Sequence, residues 1–301
     1  MSVVYLGTSA FAAAVLERLA ASAHRPALVV TRPDRPAGRG RHMHAPPVAE
    51  TARTLGLALD QPASVNDAEA RARIAAAGGP DAALVVCAFG ALIRAPLLDE
   101  HEILNVHPSL LPRWRGAAPV ERAIMAGDER TGVSIMRLTA GLDSGPVGAQ
   151  ASEPIAPDDT YGTVAPRLQQ LGADLLLGVL DERPAFAEQD QAGVTYAEKI
   201  TAEDRTLRAD RPAVAGERAV RALHPHIGAR ALLADGGFLG VLRARAHETA
   251  PVDAAHVAEH DGRLFLGALE LLEVQPPGGR PMDAGSLLRG RGLPGVERSR
   301  R

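Results

Sequence analysis

An uninterrupted apolar stretch is the sequence feature that most constrains the fold of this chain. Residues Ala82–Phe89 read AALVVCAF, without a polar side chain at any position. A β-strand of this composition has no face suited to water, so other elements must cover both of its faces. The stretch therefore predicts a central strand in a sheet that is packed on both sides.

Strand-like and helix-like segments alternate around this stretch over the first 180 residues. Short apolar runs predict strands over Val3–Gly7, Ala27–Thr31, Ile103–His107 and Val133–Leu138. Other segments predict helices over Phe11–Ala21 (with Thr8 or Ser9 as the N-cap), Val48–Leu57, Asp67–Ala77, Ala117–Ala126 and Thr160–Leu180. Such alternation is typical of a mostly parallel sheet with helices on its faces, so we expect a Rossmann-like α/β domain.

The pattern changes after about residue 181. A polar stretch without clear periodicity is followed by a predicted helix over Ala213–Leu223 and by short runs separated by Gly and Asp turns. These runs predict strands over Ala231–Ala234, Gly237–Ala244, Arg263–Leu266 and Leu269–Val274. We therefore expect an α/β domain over residues 1–183, a linker over 184–206, and a smaller β-barrel or sandwich domain over 207–301.

Composition excludes several classes of protein. No window approaches twenty apolar residues and the N-terminus has no signal-peptide pattern, so we expect a cytoplasmic protein without a membrane span. The single cysteine, Cys87, excludes a disulfide framework. Because it lies inside the apolar stretch Ala82–Phe89, we expect it to pack in the core and not to act as a nucleophile. His42 and His44 have no acidic or cysteine partner at ligand spacing, so no metal site is expected. A net charge of −3 argues against a bulk nucleic-acid binder and leaves only a local basic patch.

Asn105 and His107 end the predicted strand Ile103–His107 and lie on one face of it, because side chains alternate along a strand. The carboxyl ends of parallel strands face the ligand crevice of such a domain. An amide donor beside an imidazole suits acyl transfer, since the amide can bind a developing oxyanion and the imidazole can move protons. A capping Asn and a structural His are the alternative.

Asp143 lies in a loop between Gly141 and Gly145, after the predicted strand Val133–Leu138. Its carboxylate could orient a histidine, and the glycines allow a ligand to approach the backbone. An ordinary turn residue is the alternative interpretation.

The segment Arg32–His44 is basic, with a local charge of +3 from Arg32, Asp34, Arg35, Arg39 and Arg41. Guanidinium groups on a glycine-containing loop are suited to binding phosphates. A solvated basic loop without a ligand is the alternative.

Several motifs together resemble the 10-formyltetrahydrofolate-dependent formyltransferases: the Asn-x-His pair, the Ser109–Pro112 run (SLLP) and Gly141–Gly145 (GLDSG). Within that superfamily, three further segments resemble the methionyl-tRNA formyltransferases: Arg32–Gly40 (RPDRPAGRG), Arg113–Val120 (RWRGAAPV) and Thr195–Lys199 (TYAEK). The resemblance covers nearly all of residues 1–200 and is weak beyond residue 205. It departs from the usual pattern after Asp143, where Ser144-Gly145-Pro146 replaces Thr-Gly-Asp.

The resemblance implies formyl transfer from 10-formyltetrahydrofolate to initiator methionyl-tRNA, by a monomer that needs no metal. It assigns roles to three groups of residues: Asn105, His107 and Asp143 in catalysis; Phe89, Gly90, Leu92, Ser109, Leu110, Leu111 and Pro112 in binding the folate; and Arg35, Arg39 and Arg41 in contacting tRNA. It also implies an OB-like barrel for residues 207–301, a fold whose open face binds nucleic acid.

Three other functions are compatible with parts of the sequence. A formyltransferase for a small amine, such as glycinamide ribonucleotide or an amino sugar, would need neither the basic segment nor a second domain. A non-catalytic folate- or tRNA-binding protein would not need all of Asn105, His107 and Asp143. A generic nucleotide-binding Rossmann protein is disfavoured because Gly7-Thr8-Ser9 is not the phosphate-binding GxGxxG pattern.

Overall fold

The computed structural model describes residues 2–37, 42–290 and 295–298. The chain forms two compact units. Unit 1 comprises Met1–Gly116, Thr131–Pro154 and Ala165–Tyr196, and unit 2 comprises Ala117–Arg130, Ile155–Val164 and Ala197–Arg301.

Strands are numbered in chain order. They are β1 Val3–Gly7, β2 Leu28–Val30, β3 Arg35–Ala37, β4 His42–His44, β5 Leu59–Asp60, β6 Ala83–Cys87, β7 Ile103–His107, β8 Arg115–Gly116, β9 Arg130–Arg137, β10 Val147–Pro154, β11 Tyr196–Ala197, β12 Thr206–Leu207, β13 Ala229–Leu232, β14 Phe238–Ala246, β15 Ala258–His260, β16 Arg263–Leu266, β17 Leu269–Gln275, β18 Met282–Asp283 and β19 Glu297–Arg298.

The helices are α1 Ala10–Ala20, α2 Pro47–Thr54, α3 Ala68–Gly78, α4 Leu97–Glu100, α5 Pro119–Ala126, α6 Tyr161–Glu182, α7 Ala213–Leu223 and α8 Ala284–Arg289. A 3-10 turn covers Gln191–Gly193. Ser9 caps α1 as expected, because its hydroxyl accepts a hydrogen bond from the Ala12 N–H at 3.3 Å.

Unit 1 is built on a seven-stranded sheet in the order β10-β9-β7-β6-β1-β2-β5. Strands β1, β2, β5, β6 and β7 pair in parallel, which confirms the mostly parallel α/β prediction. All five residues of β6 are buried, as its apolar sequence requires. On one face of the sheet, Val4, Leu6, Leu84 and Val86 pack with Ile74 of α3 in a core of buried residues. The centre of the sheet is therefore shielded from solvent.

Unit 1 departs from the sequence prediction at one side of the large sheet and in a separate two-stranded hairpin. Strand β9 was predicted but pairs antiparallel to β7. Strand β10 and the hairpin of β3 with β4 were not predicted. The reason for β10 is its sequence, VGAQASEP, in which small and polar residues alternate between half-buried and exposed positions at the edge of the sheet.

Unit 2 contains the second sheet, in the order β12-β13-β14-β17-β16-β15-β19, with β18 paired to β17. Most neighbours are antiparallel, and a register shift within the β14–β17 pair accompanies the curl of the sheet into a half-barrel. This confirms the OB-like prediction. Helix α7 begins and ends as predicted, and its Val220 and Leu223 pack against Leu239, Leu264 and other core residues of the sheet.

Within the described residues, every helix is too short or too polar to cross a membrane. The same part of the chain has no group of three or more His, Cys, Asp and Glu side chains arranged to hold a metal ion.

Candidate active site

The strand β7 carries two polar side chains into a largely buried position at its carboxyl end. It lies between β6 and β9, with Asn105 opposite Val86 and Met136 in the ladder. Asn105 is 8% exposed and His107 is 4% exposed. Because they are two positions apart, their side chains share one face of the sheet, as predicted.

The two ring nitrogens of His107 have different neighbours: a backbone carbonyl oxygen and a carboxylate. Its Nε2 lies 2.9 Å from the carbonyl oxygen of Trp114. A carbonyl only accepts, so Nε2 carries the hydrogen and donates it. Its Nδ1 lies 3.8 Å from Oδ2 of Asp143. A proton that enters or leaves the ring therefore does so at Nδ1, beside Asp143.

Asp143 is oriented by the same short segment that holds His107. Its Oδ2 accepts a hydrogen bond from the Gly116 N–H at 2.8 Å. Trp114 and Asp143 both adopt left-handed backbone conformations, with φ of 63° and 42°. The strained turn at Trp114 thus presents a carbonyl to the histidine and, two residues later, an N–H to the aspartate.

The amide of Asn105 is available for a ligand. Its side chain makes no hydrogen bond within the part of the chain that the structure describes, although the residue is largely buried. A largely buried amide without a protein partner is positioned to bind a polar group of a ligand. The trio of Asn105, His107 and Asp143 thus combines a free amide donor with a proton-carrying pair.

The predicted folate-binding run Ser109–Pro112 follows β7 directly. The Ser109 hydroxyl donates to the Arg113 carbonyl at 2.6 Å. Ser134 of β9 supports the run from below, because its hydroxyl donates to the Ser109 carbonyl at 2.6 Å and accepts from the Leu111 N–H at 3.1 Å. Gln150 of β10 donates to the Leu111 carbonyl at 2.7 Å and to the Ser134 hydroxyl at 2.8 Å. The sequence patterns gave no signal for either support.

The other predicted folate contacts follow β6, the strand next to β7. Phe89 is buried, and its carbonyl accepts a hydrogen bond from the Thr8 hydroxyl at 2.6 Å. Gly90 has a φ of 70°, and its carbonyl accepts from the Arg32 guanidinium at 3.0 Å. Leu92 is 64% exposed. Two loops at the ends of adjacent strands therefore carry all seven predicted folate residues, and their role in binding stays a prediction.

Of the predicted tRNA contacts, Arg35 lies in the β3–β4 hairpin, opposite His44, and is exposed. Arg39 and Arg41 lie outside the described residues. The hairpin pairing was not anticipated, since each of its strands, Arg35–Ala37 and His42–His44, is only three residues long.

Two buried polar residues next to Asp143 were also missed. Arg115 is 4% exposed and Gln189 is 7% exposed, and they hydrogen-bond to each other. Gln189 lies in the polar stretch 184–206, where nothing in the sequence marks one side chain as buried. The Trp114 ring, close to this pair in the chain, has the Arg113 guanidinium 4.3 Å from its centre.

Two family profiles match the chain. One described as "Formyl transferase" matches residues 1–180, and one described as "Formyl transferase, C-terminal domain" matches residues 199–292. Among solved structures, the N-formyltransferase from Helicobacter canadensis shares the fold at a TM-score of 0.64 and 12% identity, over 90% of this chain and 97% of that one. HypX from Aquifex aeolicus, solved with tetrahydrofolic acid, has a TM-score of 0.62 at 17% identity, over 99% of this chain and 48% of its own.

Two curated relatives are similar over almost their whole length, and both are named methionyl-tRNA formyltransferase. The protein from Halorhodospira halophila is 43% identical, over 97% of this chain and 96% of its own sequence. The one from Ruegeria pomeroyi is 42% identical, over 98% of both sequences. Together with the two profiles, this similarity shows that the chain belongs to the methionyl-tRNA formyltransferase family.

Proposed function

We propose that this chain transfers the formyl group of 10-formyltetrahydrofolate to the α-amine of methionine on initiator tRNA, with Asn105, His107 and Asp143 as its catalytic residues. The observation that carries the assignment is the site itself: a buried amide without a protein partner, beside a histidine whose Nδ1 lies 3.8 Å from a carboxylate. A module that only bound folate or tRNA would have no need of this combination.

The surroundings of the trio suit a folate. The Asn105 amide needs a polar partner, and a formyl oxygen supplies one. We assign the pterin to the backbone of Phe89, Gly90 and Leu92, where the left-handed glycine keeps side chains away from the ligand. We assign further contacts to Ser109–Pro112, which the hydrogen bonds of Ser134 hold in place.

The reaction needs no covalent enzyme intermediate, because a free amine is a competent nucleophile. The amine nitrogen forms a bond to the formyl carbon, and the bond from that carbon to the folate nitrogen breaks. The Asn105 amide and a proton on His107 Nδ1 stabilise the oxyanion that develops between these events. Asp143 stabilises the protonated imidazole and assists removal of the amine proton, while the folate nitrogen takes up a proton as it leaves.

We assign the formyl-transfer reaction to residues 1–183. We assign binding of the tRNA acceptor arm to two regions. These are the basic segment with Arg35, Arg39 and Arg41, and the domain over 207–301, which carries 14 arginines against 11 acidic residues. The protein acts as a monomer in the cytoplasm, where charged initiator tRNA is found.

A formylation assay with three acceptors tests the substrate. Purified protein and 10-formyltetrahydrofolate are combined with initiator methionyl-tRNA, elongator methionyl-tRNA or glycinamide ribonucleotide. We expect formylation of initiator methionyl-tRNA alone. Formylation of only the small amine would keep the trio and refute the tRNA assignment.

Substitution of the trio tests the residue roles. Asn105→Ala and Asp143→Ala should each lower kcat by about 10²–10³, the usual cost of losing one stabilising group in such a site. Asp81→Ala is the matched control, since Asp81 is exposed and precedes the amino end of β6. A near-normal rate in either site variant removes that residue from the mechanism.

A further inference from the structure

A buried arginine and a buried glutamine form a hydrogen-bonded pair behind the Asp143 loop. The Arg115 guanidinium donates from Nε and from a terminal nitrogen to Oε1 of Gln189, at 3.0 and 2.8 Å. The Gln189 Nε2 in turn donates to the carbonyl oxygens of Asp143 and Gly145, at 2.8 and 2.7 Å. A single carboxamide thus links Arg115 to the backbone on both sides of Ser144.

The chemistry of the partners leaves this carboxamide only one orientation. A guanidinium only donates, so the Gln189 oxygen must face Arg115. The two carbonyls only accept, so both hydrogens of the amide nitrogen must face the loop. A flipped amide would place two donors against Arg115 and an oxygen against two carbonyls, which is costly at a site this dry.

The position of the Asp143 carboxylate depends on this arrangement. Asp143 has a left-handed backbone, with φ of 42°, which costs free energy unless the surroundings hold it there. Gly145 packs against the Arg137 carbonyl so closely that a Cβ atom would clash with it. Gln189 bonds the backbone carbonyls of both residues, while the neighbour of Arg115, Gly116, bonds the carboxylate itself.

We propose that Gln189 is a positioning residue for the formyl-transfer reaction, which holds the Asp143 carboxylate opposite His107 and is itself oriented by Arg115. The inference rests on the proposed function, because it assumes that Asp143 takes part in catalysis. The loop is held from the backbone as well as from the side chain, so the distance from Asp143 Oδ2 to His107 Nδ1 is set before substrate binds.

Gln189→Glu tests the role, because it keeps the oxygen that accepts from Arg115 and removes the nitrogen that donates to the loop. The glutamate keeps an oxygen for Arg115 and gains an ion pair with it, but it loses both donors to the loop carbonyls. We expect kcat to fall by about tenfold to 10²-fold, as for other small displacements in an active site. The KM for 10-formyltetrahydrofolate should change by less than about threefold. Gln170→Glu is the control, since Gln170 is exposed on α6.

A double-mutant cycle with Asp143→Ala shows whether Gln189 acts through Asp143. If it does, Gln189→Glu should lower kcat by less than about threefold once Asp143 has been removed. A merely structural role predicts the same fractional loss in both backgrounds. That additive result, or a normal kcat for Gln189→Glu alone, would overturn the proposal.

The cycle also separates this inference from the proposed function. An unmodified enzyme that fails to formylate methionyl-tRNA, or an Asp143→Ala variant with normal kcat, contradicts the proposed function. An active enzyme that needs Asp143 but shows additive losses contradicts only the role of Gln189. Circular dichroism melts of all variants identify any loss that comes from unfolding.

Discussion

At the scale of single residues, burial decides what Cys87 can do. It ends β6, it is fully buried, and burial raises the pKa of its thiol from 9.0 to about 12. The thiolate is the reactive form, so a thiol with this pKa is inert at neutral pH. The structure therefore supports the interpretation that Cys87 packs in the core and is not a nucleophile.

We predict a large difference in the thiol reactivity of Cys87 between the folded and unfolded protein. At pH 8 the shift from 9.0 to about 12 leaves about 10³-fold less thiolate in the folded state. Alkylation of this single cysteine should be slower by at least that factor than in denaturant. Comparable rates in the two states would show that Cys87 is exposed and that the strand is not buried.

The same shift gives a pH dependence of stability with a defined sign. The folded state holds the Cys87 proton more tightly than the unfolded state, so the favourable contribution is complete below pH 9 and is lost as pH rises towards about 12. The free energy of unfolding should therefore decline over this range, less steeply in Cys87→Ala.

The residues that we propose as catalytic could be predicted from the sequence only in part. Asn105 and His107 stand two apart at the end of an apolar strand, so their common face followed from strand geometry. The link to Asp143 required the fold, because 36 positions of chain separate it from His107 and the His–Asp pairing depends on the left-handed turn at Trp114. Gln189 had no sequence signal, since one buried amide in a polar segment looks like its exposed neighbours.

At the scale of elements, the edge strand β10 and its neighbour β9 support the loop after β7. Ser134 and Gln150 reach from them to the Ser109–Pro112 run, and Ser134 is fully buried. Strand β9 was predicted from its apolar residues, but its direction relative to β7 was not. Strand β10 was missed because its sequence has no row of apolar residues, and none of its side chains is fully buried.

Ser134→Ala should weaken both the fold and the binding of folate. The change leaves the Ser109 carbonyl and the Leu111 N–H without their hydroxyl partner, at a cost of about 1–3 kcal/mol in unfolding free energy. We expect the KM for 10-formyltetrahydrofolate to rise several-fold while kcat changes little, because the trio is untouched.

Ser22→Ala is the matched control for this variant. The Ser22 hydroxyl also donates to a backbone carbonyl, that of Leu19 at 2.7 Å, but it lies at the end of α1. Denaturant unfolding and steady-state kinetics of both variants give the comparison. An unchanged KM in Ser134→Ala would mean that the Ser109–Pro112 run does not bind the folate.

At the scale of the whole molecule, charge is distributed unevenly along a chain whose net charge is only −3. Residues 207–301 have an excess of three arginines over acids, whereas residues 1–206 carry 19 basic and 25 acidic side chains. Binding of tRNA by a protein of this balance must use local clusters of guanidinium groups. The negative remainder repels phosphates elsewhere, which favours one orientation of the tRNA over others.

This distribution predicts that the two substrates respond differently to salt. Contacts with phosphates release counterions, so the KM for methionyl-tRNA should rise steeply between low and moderate salt. The KM for 10-formyltetrahydrofolate should change little. Arg35→Ala should reduce the slope of log KM for tRNA against log salt by about one, the value expected for one lost phosphate contact.

Arg73→Ala is the control for Arg35→Ala, because the Arg73 guanidinium is already neutralised by the Asp60 carboxylate at 2.8 Å. An arginine paired in this way has no free charge for a phosphate, so its removal should leave the slope unchanged. If the KM for tRNA did not depend on salt, the basic segment would have no phosphate contact to make. If Arg73→Ala and Arg35→Ala lowered the slope equally, the effect would follow net charge, and the hairpin would have no specific role.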